Sequence, residues 1–501
     1  MTTHSLGAVW WVPLAAGAGA GLVLTRLARN VADRNGLVDA PDGRRKMQPR
    51  PVPVIGGVAV LLAAVLALAA TLLVSHAFAA VVRDDVRWAA ALLAAAATIT
   101  AVGFVDDRHN LRARHKLAGQ IVATLVLVVG GGYLIERVAL FGWVVEFGPF
   151  AGPVTVFWLL ACVNALNLID GMDGLLGTVA VTGLGALAVI ALMVGQVFAA
   201  TVALALCGAV AGFLWFNLPP ATVYMGDAGS MLVGLVIGAL AIPSSLKGPA
   251  TVSLICPVAI LILPVLDTTA AVIRRKLTGR GLATADRGHL HHVLLRHGLT
   301  VRRVLGLVAV LGLVASVGAL ASTAFKNDLY ALVAAGGVAV TLLATRLFGC
   351  AEFHLIRKRA GLALGSALGW DPAPVGVGLA VRIQGTIDWD SVWAVLAEAA
   401  GSADLQSLSL DVNAPELHEN YHARWERAAC ATPDTHWWRV ESPLFARGHL
   451  IGRVAATGGR DSSSIERIFQ TLARIVDAAE RRATELTEPA PAHGAAAFGA
   501  R

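Results

Sequence analysis

Residues Gly174–Phe216 read GLLGTVAVTGLGALAVIALMVGQVFAATVALALCGAVAGFLWF, without a single charged side chain. A helix of about 20 apolar residues crosses the roughly 30 Å hydrocarbon core of a bilayer. This stretch is therefore long enough for two crossings, with a turn near Gly195 and Gln196. Outward from it, charge-poor runs of similar length recur, a clear one being Val304–Phe325. They predict eleven spans, near 5–25, 54–75, 88–105, 117–135, 153–169, 174–194, 197–216, 228–246, 249–270, 304–325 and 329–345. The first is not expected to be a signal peptide, because residues 1–7 lack a positive n-region and the apolar run is long.

Composition agrees: 56% of the 501 residues are hydrophobic and 15% are charged, where an ordinary soluble domain carries about 25% charge. The five cysteines, Cys162, Cys207, Cys256, Cys350 and Cys430, form no CxxC pair, so neither a disulfide framework nor a zinc site is expected. The net charge of +7 fits basic loops beside an anionic cytoplasmic leaflet better than it fits nucleic acid.

Loop charge gives the sidedness. The loop after span 1 holds Arg26, Arg29, Arg34, Arg44, Arg45, Lys46 and Arg50, and the loop after span 9 is equally basic, with Arg274, Arg275 and Lys276 at its start. The alternate loops offer only Arg83, Arg87, Arg137, Lys247 and Lys326. Basic loops stay in the cytoplasm, so the odd-numbered loops and the C-terminus are expected there. Every polar cluster below falls in those loops or at their helix ends, as one active site open to one face would require.

Asp106-Asp107 ends span 3; adjacent carboxylates at a bilayer edge are costly unless a cation or a positive substrate group relieves them, the alternative being a solvated helix end. Asn164, Asn167 and Asp170 recur every three residues towards one helix face, and Asp173 follows in the sequence NALNLIDGMDG. These are hard oxygen donors suited to Mg²⁺ or to a ribose and base, unless the segment is simply a polar turn. Asp227, in Met225-Gly-Asp-Ala-Gly-Ser230, is either a metal ligand or the N-cap of span 8. Asp286-Arg287-Gly-His289-Leu-His291-His292 suits phosphate oxygens; zinc and a solvated basic loop are the alternatives. The Pro-rich segment from Asp39 to Pro53 carries Arg45 and Lys46 at the depth of a lipid phosphate, or as ordinary loop charge.

Together the DD pair, the NALNLIDGMDG and MGDAGS stretches and the HLHH box, in that order over roughly residues 30–300, resemble the polyprenyl-phosphate N-acetylhexosamine-1-phosphate transferases. The resemblance to the GlcNAc branch is closer than to the phospho-MurNAc-pentapeptide translocases. It implies transfer of a HexNAc 1-phosphate, GlcNAc first, from a UDP-sugar to undecaprenyl or another polyprenyl phosphate with release of UMP, in the cell membrane. It implies Mg²⁺, with Mn²⁺ as a substitute, bound by Asn167 and Asp227, and Asp106 and Asp107 beside the metal and the lipid phosphate. Asn164, Asp170 and Asp173 would face the nucleotide; Arg287, His289, His291 and His292 the diphosphate; Arg45, Lys46 and Lys116 the lipid phosphate. Asp267 also matches a family aspartate, without a role. Two positions depart from the pattern, bearing on acceptor or sugar preference: Gln48 stands where a histidine is common, and Gly281–Thr284 where Ser-Pro-Phe is. Direct in-line attack is expected, with a covalent aspartyl-phosphate left open, as is a homodimer. The rival readings are an ion-coupled transporter and an inactive homologue serving as a scaffold.

After Thr345 the chain becomes more charged and loses its spans. Strands are predicted near 376–384, 405–412, 436–442 and 448–456, and helices near 388–400 and 463–486. Trp437-Trp438 is read as core in preference to an interface. The fold expected is thus an all-α polytopic membrane protein with about eleven transmembrane helices, 1–348, then a small cytoplasmic α/β domain, 349–487, dispensable for the chemical step, and a disordered tail, 488–501.

Overall fold

The computed structural model describes residues 10–39, 51–140, 143–244, 246–248, 251–252, 254–277, 288–349, 352–353, 356–357, 377–384, 387–402, 405–414, 419–426, 438–446, 448–458 and 465–486. Arg45, Lys46, Arg287, Cys350, Cys430, Trp437 and the 488–501 tail lie outside these residues. The chain divides into two compact units, Met1–Ala271 with His289–Phe348, and Val272–Gly288 with Gly349–Arg501.

The first unit is a helical bundle: α1 (Trp11–Asn35), α2 (Gly56–Val74), α3 (His76–Asp84), α4 (Val86–His109), α5 (Ala113–Gly131), α6 (Ala151–Ile169), α7 (Leu175–Met193), α8 (Val197–Asn217) and α9 (Gly226–Ser244), then α10 (Ile255–Ile260), α11 (Ile262–Leu277, which runs on into the second unit), α12 (Leu290–Arg296), α13 (Val301–Phe325) and α14 (Leu329–Ala344). The opening stretch forms α7 and α8, parted by a turn in which Gly195 has φ +77°, a conformation that favours glycine. Eight of the described helices are long and apolar enough to cross a bilayer. Eleven is not reached on length and composition: α5 carries Arg114 and Lys116 in its first turn, α14 is short, and the span expected at 249–270 is two helices. That span divides at Leu261, three residues before Pro264, whose ring has no N–H for the carbonyl of Ile260. Strands that the apolar pattern did not suggest, β3 (Arg137–Leu140), β4 (Trp143–Glu146), β5 (Leu246–Gly248) and β6 (Thr251–Val252), form one sheet in the order β4-β3-β6-β5.

At the middle of the bundle lies α9, 89% of whose spanning window is buried. Its N-terminus is where neighbours come closest. A methyl group at Gly57 of α2 would overlap the backbone of Gly229, and one at Gly103 of α4 would overlap Ala228. A short pair, β1 (Val38–Asp39) with β2 (Val52–Pro53), brackets residues 40–50. The chain after β2 is tied to the segment before α9, since Tyr224 N–H donates to Pro53 O (2.8 Å), and Gly56 and Gly57 N–H donate to Tyr224 O and Met225 O (3.0 and 2.9 Å).

In the second unit an antiparallel sheet has the order β10-β11-β8-β9-β7: β7 (Val377–Gln384), β8 (Ser407–Ala414), β9 (Glu419–Glu426), β10 (Trp438–Ala446) and β11 (His449–Gly458). Two helices complete the unit, α15 (Trp389–Ser402) and α16 (Ile465–Leu486). Leu408, Leu410, Val412, Tyr421, Ala423, Trp425 and Val454 form its core with Trp389 and Leu396. Four strands and both helices stand where the sequence predicted them; β9 was missed. Trp438 packs partly buried against that core.

Candidate active site

Asp106 and Asp107 leave the last turn of α4 in different directions. Asp107 reaches across to α9 and accepts the backbone N–H of Asp227 (2.8 Å, Oδ1) and of Ala228 (3.1 Å, Oδ2). The cap of α9 is therefore supplied by another helix, and a carboxylate suits the positive end of the helix dipole. This removes the reading of Asp227 as its own helix's side-chain cap.

Asp227 is left free to point into the site. Its Oδ1 accepts from Asn167 Nδ2 (2.5 Å) and its Oδ2 from Lys116 Nζ (2.7 Å). The same ammonium lies 3.0 Å from Asp106 Oδ2, while Asp106 Oδ1 accepts the Leu111 N–H at 2.7 Å. Two carboxylates from two helices, Asp106 and Asp227, thus share one lysine from α5, and Asp227 also takes one amide from α6. Asn167 also donates to Ser230 Oγ (2.8 Å), fixing α6 to α9.

Asn164, one turn earlier on α6, is used differently. It exchanges amide hydrogen bonds with Gln120 of α5 (3.0 and 3.4 Å) and donates to Leu160 O. Gln120 was missed; a lone polar residue inside an apolar span was the available signal. Asp173 Oδ2 accepts the Ala221 N–H (2.9 Å), and Asn217 accepts that of Gly174 (3.0 Å), so the turn after α6 is tied to the loop before α9. Asp170, partly buried at the end of α6, is pushed up to about 8, first by burial and then by the charges of Asp227, Asp107 and Asp173.

The histidines flank this turn. His289 Nδ1 lies 2.9 Å from Asp267 Oδ2, and Asp267 Oδ1 accepts the Leu290 N–H at 2.7 Å. Asp267, 1% exposed, thereby acquires a role: it orients His289 and holds the start of α12. His291 lies against Gly171, where a methyl group would strike its imidazole. The ring is 3% exposed, and among the described residues neither of its nitrogens has a hydrogen-bond partner. Burial, and then the neighbouring His292 and His289, push it down to about 3, so it is neutral at physiological pH. The His291 and His292 ring centroids are 4.1 Å apart. Among the described residues no three His, Cys, Asp or Glu side chains converge as a metal-binding group.

Of the expected site residues, Asp106, Asp107, Lys116, Asn167 and Asp227 meet directly, Asp170 and Asp173 adjoin them, and His291 packs on the same turn.

A helical bundle with acid, amide, lysine and histidine groups gathered at its helix ends defines a membrane-embedded enzyme. Residues 89–245 match glycosyl transferase family 4. The chain is 32% identical over 289 residues to a probable undecaprenyl-phosphate N-acetylglucosaminyl 1-phosphate transferase of Bacillus subtilis (strain 168), covering 56% of this chain and 76% of that protein. It is 32% identical over 361 residues to a decaprenyl-phosphate N-acetylglucosaminephosphotransferase of Mycolicibacterium smegmatis, covering 64% and 84%. With the corresponding transferase of Escherichia coli (strain K12) it shares 30% over 287 residues, 56% and 75%. The chain belongs to this family of polyprenyl-phosphate N-acetylglucosamine-1-phosphate transferases.

Proposed function

We propose that the protein transfers N-acetylglucosamine 1-phosphate from UDP-N-acetylglucosamine to a polyprenyl phosphate and releases UMP. The observation that carries this reading is the Lys116 ammonium held between Asp106 and Asp227. A position that binds a cation between two carboxylates, near buried histidines, suits a reaction that must bring two phosphate anions together.

The donor set fits Mg²⁺, which prefers oxygen and usually takes only one or two protein ligands. Asp227 and Asn167 would hold it, with Mn²⁺ as a substitute. Bound there, the ion would neutralise charge on the diphosphate and on the leaving UMP. The acceptor phosphate has its second pKa near about 6 and is already a nucleophile at neutral pH. Direct in-line attack is favoured over an aspartyl-phosphate, because the acceptor phosphate needs no protein nucleophile.

Lys116, Arg45 and Lys46 would receive the lipid phosphate. His289, oriented through Nδ1, would offer Nε2 to the diphosphate beside His291, His292 and Arg287. Asp170, whose carboxyl is pushed up by burial and then by the charges of Asp227, Asp107 and Asp173, would face the nucleotide with Asn164 and Asp173. The loop-charge asymmetry supports a cytoplasmic site and C-terminus.

The test is UMP release by purified protein given undecaprenyl phosphate and a panel of UDP-sugars. UDP-N-acetylglucosamine should be consumed only when both Mg²⁺ and the lipid are present. Absence of turnover with every UDP-HexNAc in the panel would sink the reading.

A further inference from the structure

Behind the site lies a second polar layer that the chemistry above leaves without a task. Lys116 of α5, Asn167 of α6 and Asp227 of α9 meet at the helix ends. Gln120 lies four residues further along α5, Met231 four further along α9, and Asn164 three back along α6. Each stands about one turn from its counterpart in the site, roughly 5–6 Å along the helix axis. These three residues meet as well. Gln120 Nε2 donates to Met231 Sδ (3.2 Å) and to Asn164 Oδ1 (3.4 Å), and Gln120 Oε1 accepts from Asn164 Nδ2 (3.0 Å). Gln120 is 1% exposed. The three helices are not otherwise held alike. A methyl group at Gly234 of α9 would overlap the Cα of Val163 of α6, so those two helices touch backbone to backbone. Among the described residues, the hydrogen bonds from α5 to α6 and α9 come from Lys116 and Gln120 alone. Apolar packing is non-directional, and by itself it lets a helix slide or turn slightly; hydrogen bonds of set length and angle do not. An apolar side chain at this depth would need no partner, whereas a buried amide is costly unless it has one.

We propose that Gln120 is a positioning residue: one turn behind the site it fixes the register of α5 against α6 and α9, and so sets where the Lys116 ammonium stands relative to Asp227 and Asn167. The proposal rests on the transferase reading for its substrate, but not for its geometry. Lys116 has a long, flexible stem and no close backbone contact of α5 with α9 to steady it, so its own ion pairs cannot define where its helix sits. The amide pair supplies that definition without adding charge to a site already crowded with carboxylates. A lysine displaced by about 1 Å would still bind a phosphate but would meet the reacting groups in the wrong place.

The experiment uses the full-length protein in lipid nanodiscs. Gln120→Met keeps the side chain's length and volume and removes its amide. It should lower kcat for UMP release about tenfold, the scale of losing an outer partner of a functional group, with KM for UDP-N-acetylglucosamine held within about twofold. With EDTA present and no substrate, peptide mass spectrometry after treatment with an amine-acylating reagent should show Lys116 modified several-fold faster. Thr124→Val is the control: Thr124 is buried one turn further along α5 and its hydroxyl donates only within its own helix, to Ile121 O (2.8 Å). Its loss should leave Lys116 acylation and kcat at wild-type values. If Gln120→Met does not fold, Gln120→Met with Asn164→Leu decides on acylation alone, since replacing both partners of a buried hydrogen bond by apolar groups is well tolerated; it too should speed modification of Lys116. Wild-type acylation and wild-type kcat in a folded Gln120 variant would overturn the proposal, even if its melting temperature fell. So would an equal rise in acylation in Thr124→Val, which would mean that any loosening of α5 has the same effect. A wild-type protein that releases no UMP would defeat the transferase reading, while the acylation arm would still judge the positioning.

Discussion

At the junction of α4, α5 and α9 every carboxylate oxygen of Asp106, Asp107 and Asp227 already has a donor from within the protein. At His291, beside the turn after α6, neither ring nitrogen has a partner among the described residues. The first region is a set of charges whose positions are fixed by mutual compensation. The second is a neutral, desolvated ring that gains most from a group arriving from outside. Burying polar atoms without partners costs about 1–3 kcal/mol each, a cost that an arriving substrate group could offset at His291. The carboxylate region should therefore be sensitive to charge and the histidine region to shape and hydrogen-bonding capacity.

The sharpest way to break this contrast is Asp227→Asn. It keeps the shape and removes the charge that Lys116 and Asn167 converge on. Turnover should fall on the order of 10³-fold, the scale of losing one electrostatic stabiliser from a site, while insertion into membranes stays normal. Near-normal Mg²⁺-dependent UMP release would remove Asp227 from the metal site.

His291→Ala should cost about 10²-fold in kcat/KM, somewhat less because no charge is removed. His291→Gln, which keeps hydrogen-bonding atoms near the same place, should recover part of it. Equal losses in the two variants would mean that the ring merely fills space against Gly171. Asp267→Asn keeps an acceptor for the Leu290 N–H but loses the charge that orients His289. About a tenfold loss is expected, typical of an outer partner that fixes a functional histidine, and a normal rate in this variant would separate His289 from the chemistry. The smallest effect belongs to the second unit. Tyr421→Phe removes the 3.0 Å hydrogen bond to Asp390, a loss of about 1 kcal/mol. Limited proteolysis of that unit should quicken with no change in UMP release; a drop in activity would show that its core bears on the site.

Much of the site was legible because its chemistry is concentrated in short runs: NALNLIDGMDG, MGDAGS and HLHH each bring several polar residues into otherwise apolar sequence. What the runs do to one another was not legible. Asp107 caps a helix through the N–H of a residue 120 positions later, and Asp267 serves a histidine 22 residues on, pairings decided by packing and not by spacing. The turn between α7 and α8 was readable from Gly195, whereas the break at Leu261 lay inside an unbroken apolar run that concealed the local effect of Pro264. Strand β9 escaped because Glu419-Asn-Tyr-His-Ala-Arg-Trp-Glu426 mixes charge with its alternation. Only its inward residues Tyr421, Ala423 and Trp425 reveal the period of two.

The meeting of Gly57 with Gly229, and of Gly103 with Ala228, sets backbone against backbone or against a single methyl group. Such contacts have no rotamers, and so no populations for temperature to redistribute. The separation of α4 from α9, and with it the distance from Asp107 to Asp227, is set by atomic radii and bond lengths. Warming or cooling should therefore leave the spacing of the carboxylates unchanged, and whatever thermal adjustment the catalytic cycle needs falls to segments with side-chain conformers left to freeze.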